Sequence, residues 1–245
     1  MTFASAPDIG IERFALRLAD DALVLSQQLG HWVTRAPQIE EELAIANITL
    51  DLLGQARILL SRAGDEDQLA FERNSSEYCN LLLVEQPNGD FAQTIVRQLL
   101  FSTFQLARYE VLQAHPDEAI AGVAGRGVKE VAYHREHAVA WTLRLGDGTA
   151  ESRARMLNAL QQLWPFTQEM FLGDDVDDRC GFNPSMLQQD WNDFIDDVLE
   201  RASLAVPQDT LAQKVGGRQG DHTAYLAALL DEMQALYRSH PGASW

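Results

Sequence analysis

The sequence has little cysteine and little positive charge, and each shortage argues against a class of function. Only Cys79 and Cys180 occur in 245 residues, far apart and outside any Cys-x-x-Cys pair, so we interpret both as reduced structural thiols. Lysine and arginine total 19 against 36 aspartate and glutamate, a formal net charge of -17. An acidic surface repels phosphate backbones and anionic lipids, which argues against nucleic-acid and membrane-surface partners.

The N-terminus also lacks the basic and apolar regions of a secretory signal, and no apolar run approaches the length of a membrane span. We therefore expect a cytoplasmic protein. Hydrophobic residues make up 46% and charged residues 22% of the chain, which is ordinary globular usage. We expect one domain over 1–245, with a core bundle over about 12–146 and a C-terminal helical extension over about 150–245.

Helical periodicity recurs along the chain, whereas convincing strand patterns are lacking. The spacing predicts long helices over about 12–29, 40–63, 90–114 and 117–145, and shorter ones over about 151–171, 185–204 and 222–239. The apolar run 81–84 has no second strand to pair with, so we interpret it as a packed connection. The sequence thus predicts an all-α fold, a four-helix bundle with additional C-terminal helices.

Two polar features lie among the apolar positions of the predicted core helices. One is a stripe on the fourth helix at i, i+3, i+4, i+7 and i+11. Its members are Glu130, Tyr133, His134, His137 and Trp141. The other is Asp51 on the second helix, which shares a face with Asn47 and Gly54. Polar groups in such positions need partners or a ligand.

The two features fit a degenerate version of a ferritin-like di-metal site. In such bundles the second and fourth core helices each carry Glu-x-x-His, because carboxylates balance the metal charge and imidazoles complete the coordination. Asp51 and Glu130 occupy the two carboxylate positions here. Gly54 and Tyr133 stand where the histidines would be. The sequence therefore predicts the fold of a di-metal protein without its ligand set.

The third predicted helix has no carboxylate between its ends, although a di-metal site needs one from it. Its mid-helix polar residues are Arg97, Gln98, Gln105 and Arg108. If Arg97, Gln98 or Gln105 faces inward, it would neutralise or hydrogen-bond Asp51 and Glu130. We expect a polar network at the former metal site, and no catalytic, cofactor-binding or metal-binding residue in this chain.

An alternative hypothesis keeps a metal in the protein. A histidine pair at i and i+3 can bind zinc or iron, so a divergent metal-dependent oxygenase or hydrolase could use Asp51, Glu130, His134 and His137. No second helix supplies histidines, which favours the degenerate pseudo-site of Asp51, Gly54, Glu130 and Tyr133 with His134 and His137 nearby.

Three further segments have simpler interpretations. The acidic stretch 173–181 lacks the spacing of a calcium loop and predicts a solvated turn. The glycine-rich stretch 216–223 lacks the Lys-Ser/Thr ending of a phosphate-binding loop and predicts a plain loop. The aromatic cluster of Trp164, Phe166 and Phe171 is typical of a core or an interface.

Five stretches, in order, resemble the structural C subunits of bacterial phenylacetyl-CoA epoxidases. They are LAIANITLDLLGQAR, GDEDQLAFER, NLLLVEQPNGDFAQTI, KEVAYHREHAVAWTLRLGDGT and LWPFTQEMF. The resemblance runs from Phe14 to the terminal PGASW and implies a ferritin-like, non-catalytic subunit of an NADPH-dependent monooxygenase complex in aerobic phenylacetate degradation. It also implies a homologous catalytic A subunit that holds the di-iron centre and binds the acyl-CoA, with a small B subunit and a reductase as further partners. No cofactor is expected in this chain.

Overall fold

The computed structural model describes residues 9–207 and 212–243, and within these ranges the chain forms helices and turns without a strand. The predicted all-α class is confirmed. The single-domain assignment over 1–245 stays a prediction, and its two ends, 1–8 and 244–245, lie outside the described residues.

Four long helices form the core, and local sequence sets their ends. These are α1 (Ile9–Gly30), α2 (Ile39–Ala63), α4 (Phe91–Leu112) and α5 (Glu118–Gly146), with the short α3 (Glu66–Phe71) between the second and third of them. Asp90 caps α4 by accepting the N–H of Gln93, and Asp117 caps α5 by accepting those of Ala119 and Ile120. These aspartates satisfy backbone donors that the first turn of a helix leaves free.

The C-terminal part forms shorter helices that pack on the outside of this core. They are α6 (Ala150–Leu163), α7 (Asp175–Arg179), α8 (Gln188–Arg201) and α9 (Ala224–Ser239). In the bundle α1 packs on α2, α4 on α5, and α2 on α5, while α6 and α8 cover α4 and α5, and α7 and α9 cover α1. Helices α1 and α4 are buried almost throughout as a result.

The helix predicted over 151–171 is wrong in its second half. It ends at Leu163, and the chain continues through Trp164–Phe166 and Gln168–Phe171 as 3-10 turns, because Pro165 has no N–H for a longer α-helix. Trp164, Phe166 and Phe171 are buried, which confirms that the aromatic cluster belongs to the core. The run 81–84 is a packed turn without a strand, as predicted, and both cysteines are buried thiols.

Helix α2 is unusual because it is apolar on two faces. By length and composition it could cross a membrane, contrary to the expectation that no run approaches such a span, although the core helix of a soluble bundle passes the same test. One face packs on α1 and α5. The other leaves Ile39, Leu43, Leu50 and Ile58 exposed.

Candidate functional site

The polar stripe on α5 lies against α2, and three of its side chains are hydrogen-bonded to α2 at successive positions along the helix pair. His134 Nε2 lies 3.1 Å from a carboxylate oxygen of Asp51, and His134 is almost wholly buried. One turn along, His137 Nε2 lies 2.7 Å from Glu41. Glu130, His134 and His137 of the predicted stripe therefore form the polar part of the α2–α5 contact. Trp141 instead packs edge-on against Phe91 of α4, with ring centroids 4.9 Å apart.

The third contact is between Glu130 and Gln55, and Gln55 also connects it to α4. Its amide nitrogen donates to Glu130 at 2.9 Å, and its oxygen accepts hydrogen bonds from Gln105 at 3.1 Å and from the Tyr109 hydroxyl at 3.0 Å. The other Glu130 oxygen lies 3.1 Å from Nε of Arg126. The carboxylate of Glu130 thus accepts a hydrogen bond from an amide and forms an ion pair with a guanidinium, so both of its oxygens have partners within this chain.

Of the three α4 side chains that the sequence placed near this site, only Gln105 reaches it, through Gln55. Arg97 is fully buried but donates to the backbone carbonyl of Gln86 and, at 2.5 Å, to the side-chain oxygen of Asn88. Burial lowers the pKa of Arg97 to about 9. Within the described residues, Gln98 makes no hydrogen bond to Asp51 or Glu130.

Neither position that would hold a ligand histidine offers a donor to the bundle interior. Gly54 has no side chain, and a Cβ built there would lie 3.4 Å from a guanidinium nitrogen of Arg126. Tyr133 is 45% exposed, and its ring lies on the outer side of the two histidine rings, 6.5 Å from that of His134 and 6.3 Å from that of His137.

A di-metal centre does not fit these residues. A guanidinium stands beside Gly54 and Glu130, where a cation would have to bind, and like charges at this distance repel. The histidines point at two different carboxylates, since His134 pairs with Asp51 and His137 with Glu41. Among the residues that the structure describes, no group of three or more His, Cys, Asp or Glu side chains is placed to hold a metal ion.

Glu41 is part of this site, although no motif in the sequence singled it out. It lies ten positions before Asp51, which on an ideal helix is about 80° short of three full turns. Its side chain is 11% exposed and that of Asp51 33%. Spacing alone would have favoured Glu40, eleven positions before Asp51, so the contact with His137 depends on how α2 and α5 pack.

A second and more deeply buried cluster of charges lies on α1. Asp20 and Asp21 are fully buried. Asp20 accepts from Arg73 at 3.0 Å, and Asp21 accepts from Arg108 of α4 at 2.8 Å and from Arg218 at 2.9 Å. Burial alone would raise the pKa of Asp21, but the charges and hydrogen bonds of Arg218 and Arg108 outweigh it and lower the pKa below its ordinary value.

The glycine-rich stretch 216–223, which supplies Arg218, is a loop with one 3-10 turn, as predicted. We call this stretch the clasp, because it is also hydrogen-bonded to the core. Glu169 accepts the backbone N–H groups of Leu82, Gly216 and Gly217 at 2.7, 2.9 and 2.7 Å. Burial raises the pKa of Glu169, although these donors favour its charged form. The clasp joins the turn before α9 to the connection between α3 and α4.

The imidazole of His222 fastens the start of α9 to the same connection. Its Nδ1 lies 2.7 Å from Glu85, and its Nε2 lies 3.0 Å from the backbone carbonyl of Tyr78. Both neighbours are acceptors, so the imidazole bonds to both only when both nitrogens carry a proton. Burial opposes protonation, but the bonds to Glu85 and Tyr78 outweigh it and raise the pKa of His222.

The acidic stretch 173–181 is also built into the fold, which corrects its interpretation as a solvated turn. Asp174 caps the short helix α7. Asp174 and Asp177 lie 2.7 and 3.2 Å from Nη1 of Arg17 on α1. The hydrogen bond to Arg17 lowers the pKa of Asp174 well below its ordinary value. These carboxylates hold α7 on the bundle.

Two comparisons with known proteins cover nearly the whole chain. The family described as phenylacetic acid catabolic protein matches residues 8–245. The C subunit of the 1,2-phenylacetyl-CoA epoxidase from Escherichia coli (strain K12) is 43% identical over an alignment of 243 residues, and the match covers 95% of this chain and 98% of that protein. The similarity therefore includes both the bundle helices and the C-terminal helices.

Proposed function

The chain belongs to the phenylacetic acid catabolic protein family, and we propose that it is the non-catalytic C subunit of a phenylacetyl-CoA epoxidase. In this role it pairs with a homologous catalytic A subunit, which holds a di-iron centre and epoxidises the aromatic ring of phenylacetyl-CoA in the cytoplasm. A reductase supplies electrons from NADPH, and a small B subunit joins the assembly. The identity to the Escherichia coli protein supports this assignment.

The observation that carries the non-catalytic role is the state of Glu130. A carboxylate that binds iron needs its oxygens free for the metal, whereas Gln55 donates to one oxygen of Glu130 and Arg126 lies against the other. Gly54 and Tyr133 supply no imidazole to the interior. The residues at the former metal site therefore satisfy one another, and this supports a chain that keeps the fold of the catalytic subunit while leaving the chemistry to it.

Support of the catalytic subunit follows from how the bundle is built. Its interior is a continuous hydrophobic core with buried ion pairs formed by this chain's own residues, and we expect this bundle to fold without iron. A rigid bundle beside the catalytic subunit would bury part of that subunit's surface and hold its metal-bearing helices in position, because anything that binds only the folded state stabilises it.

The test is co-expression with and without this chain. We expect the cognate catalytic subunit to be soluble, iron-loaded and active only when this chain is present and co-purifies with it. Iron counted per polypeptide should belong to the catalytic subunit, with none in this chain purified alone. Stoichiometric iron or manganese in this chain, lost in Glu130→Ala but kept in the surface control Glu151→Ala, would instead favour an enzyme built on Asp51, Glu130, His134 and His137.

A further inference from the structure

A cavity of about 410 Å³ lies between the C-terminal end of α1, with the turn that follows it, and the N-terminal part of α9. The turn before α4 closes its third side through Pro87, Asn88 and Gly89. We call it the α1–α9 cavity. The polar contact between α2 and α5 contributes no side chain to it. Its size suits a small organic molecule.

Aromatic and aliphatic side chains form the apolar walls of the α1–α9 cavity. The indole of Trp32 is fixed in place, because its Nε1 donates to the Thr94 hydroxyl at 3.0 Å and its ring packs edge-on against Phe91. On the α9 side the wall consists of Leu229 and the half-exposed Tyr225. Such walls favour a flat aromatic ring as ligand, since ring–ring contacts add to the burial of apolar area.

An unpaired cation stands at the rim of the cavity. Arg35 lines it, and within the described residues the guanidinium of Arg35 has no hydrogen-bond or ion-pair partner. The preceding residue, Thr34, has a φ of 71°, a left-handed conformation that strains a β-branched residue. The N–H groups of Arg35 and Ala36 both donate to the carbonyl of Trp32, at 2.8 and 3.1 Å. These bonds hold the strained turn and keep Arg35 near the indole.

A second positive charge lies directly behind the cavity wall. Arg97 is fully buried, and it donates at 2.5 Å to the side-chain oxygen of Asn88, which lines the cavity. Its other partner is the backbone carbonyl of Gln86, and its Nε has none. Among the residues that the structure describes, no carboxylate pairs with Arg97, whereas the buried Asp20 and Asp21 each pair with arginine.

An anion in the cavity would offset the uncompensated charge of Arg97. Burial of a cation without a counter-ion is unfavourable, and for the same reason burial lowers the pKa of Arg97. Of the described residues that line the cavity, Glu232 alone is acidic. Its side chain is 72% exposed, and its carboxylate lies 3.4 Å from Nε2 of His31. The charges that a ligand meets inside are therefore those of Arg35 and Arg97, in a chain whose net charge is -17.

We propose that the α1–α9 cavity binds a small aromatic carboxylate, with its ring against Trp32 and Tyr225 and its carboxylate on Arg35. A guanidinium binds a carboxylate through two parallel N–H donors, and Arg97 adds its charge from behind Asn88. The ligand follows from the walls of the cavity alone. The site therefore stands whether or not the chain supports a catalytic subunit.

Ligand-observed nuclear magnetic resonance of the purified chain with phenylacetate tests the site, and phenylacetamide is the neutral control of the same shape. We expect phenylacetate to bind saturably with a Kd of about 1 mM or below. Phenylacetamide should bind about tenfold more weakly, because the charge-assisted hydrogen bonds are lost. Equal affinity for the acid and the amide, or no saturation by phenylacetate up to about 10 mM, would overturn the proposal.

Two adjacent alanines of α9 locate the bound ligand. Ala228 lines the α1–α9 cavity, whereas Ala227 lines a different groove beside Arg73 and Asn74. Both alanines are exposed, so tryptophan at either position should leave the circular dichroism spectrum unchanged. Ala228→Trp should fill the cavity and abolish phenylacetate binding, while Ala227→Trp should bind phenylacetate as the wild type does. Wild-type affinity in Ala228→Trp, or equal loss in both variants, would contradict this location.

Arg35→Gln tests the role of the rim cation. It should lower the affinity for phenylacetate about tenfold and leave that for phenylacetamide unchanged. The matched control is Arg179→Gln, which removes an exposed arginine from α7 and should change neither affinity. Unchanged phenylacetate binding in Arg35→Gln, or the same loss in Arg179→Gln, would show that Arg35 does not hold the carboxylate.

Discussion

Arg108→Met should destabilise the bundle by removing one of two guanidinium groups from Asp21. The side chain of Arg108 is 2% exposed and that of Asp21 0%, and breaking a buried ion pair from one side destabilises by about 3–5 kcal/mol. Asp21 keeps Arg218 and the backbone N–H of Leu81 at 2.8 Å. We therefore expect the lower end of that range, about 3 kcal/mol.

Urea unfolding of the purified chain, followed by far-ultraviolet circular dichroism, measures the effect. Arg155→Met is the control, because Arg155 has a 54% exposed side chain and its ion pairs with Asp90 and Glu151 lie at the surface. Its unfolding midpoint should match that of the wild type. The double variant Asp21→Asn with Arg108→Met should be less destabilised than the sum of the two single changes, since they act on one pair. A wild-type unfolding midpoint for Arg108→Met, or strictly additive changes in unfolding free energy, would show that Asp21 and Arg108 do not form a stabilising buried ion pair.

Three further predictions concern the clasp and the charges. Because the pKa of His222 is raised in the folded protein, its protonation stabilises the fold fully below its ordinary pKa of 6.5, and this contribution is lost as the pH rises through the folded pKa. The urea midpoints of wild type and His222→Gln should therefore differ more at about pH 6 than at about pH 9. Gly217→Ala would place its Cβ 2.2 Å from the Asn80 carbonyl; thermal unfolding should show a loss of about 2 kcal/mol or more. The lowered pKa values of Asp21 and Asp174 give stability that is present above about pH 4 and lost on acidification, and a pH titration of circular dichroism should show it.

Local patterns were sufficient for the four long helices and for the α5 stripe, but not for the short helices α3 and α7. Glycine, proline and aspartate at element ends act on their own neighbours, so Asp90 and Asp117 could be assigned as helix starts from a few residues. The stripe was also local, because residues three and four apart on a helix share a face. For the same reason Pro165 should have ended the predicted helix over 151–171.

The buried ion pairs that Asp21 forms with Arg108 and Arg218 could not be predicted in the same way. Asp21 and Arg108 are 87 positions apart, and Asp21 and Arg218 are 197 apart, so no periodicity connects them. The available signal was the pair of aspartates within an otherwise apolar helix, since a buried carboxylate requires a cationic or hydrogen-bonded partner. Which arginine supplies it depends on how α1, α4 and the clasp pack together.

The degenerate site of Asp51 and Glu130 was predictable in part, since its helix positions follow from local spacing but its hydrogen-bond partners do not. Spacing placed Asp51 and Glu130 on facing helices, but of the three α4 side chains considered as partners only Gln105 takes part, through Gln55. Asp51 is bonded by His134 rather than by a side chain of α4, and Gln55 connects Glu130 to Gln105. A metal-ligand motif specifies only the ligand positions, whereas the hydrogen-bond partners of Asp51 and Glu130 come from neighbouring positions that the motif does not include.

The most direct measurement of the central claim is the epoxidation rate per iron of the complex assembled with a variant of this chain. The variant replaces the polar groups of the pseudo-site with neutral ones of similar shape, namely Asp51→Asn, Glu130→Gln, His134→Gln and His137→Gln. If the chemistry belongs to the catalytic subunit, the intact complex should turn over phenylacetyl-CoA at the wild-type rate with unchanged iron content. A complex that assembles normally but has lost activity or iron would contradict the account.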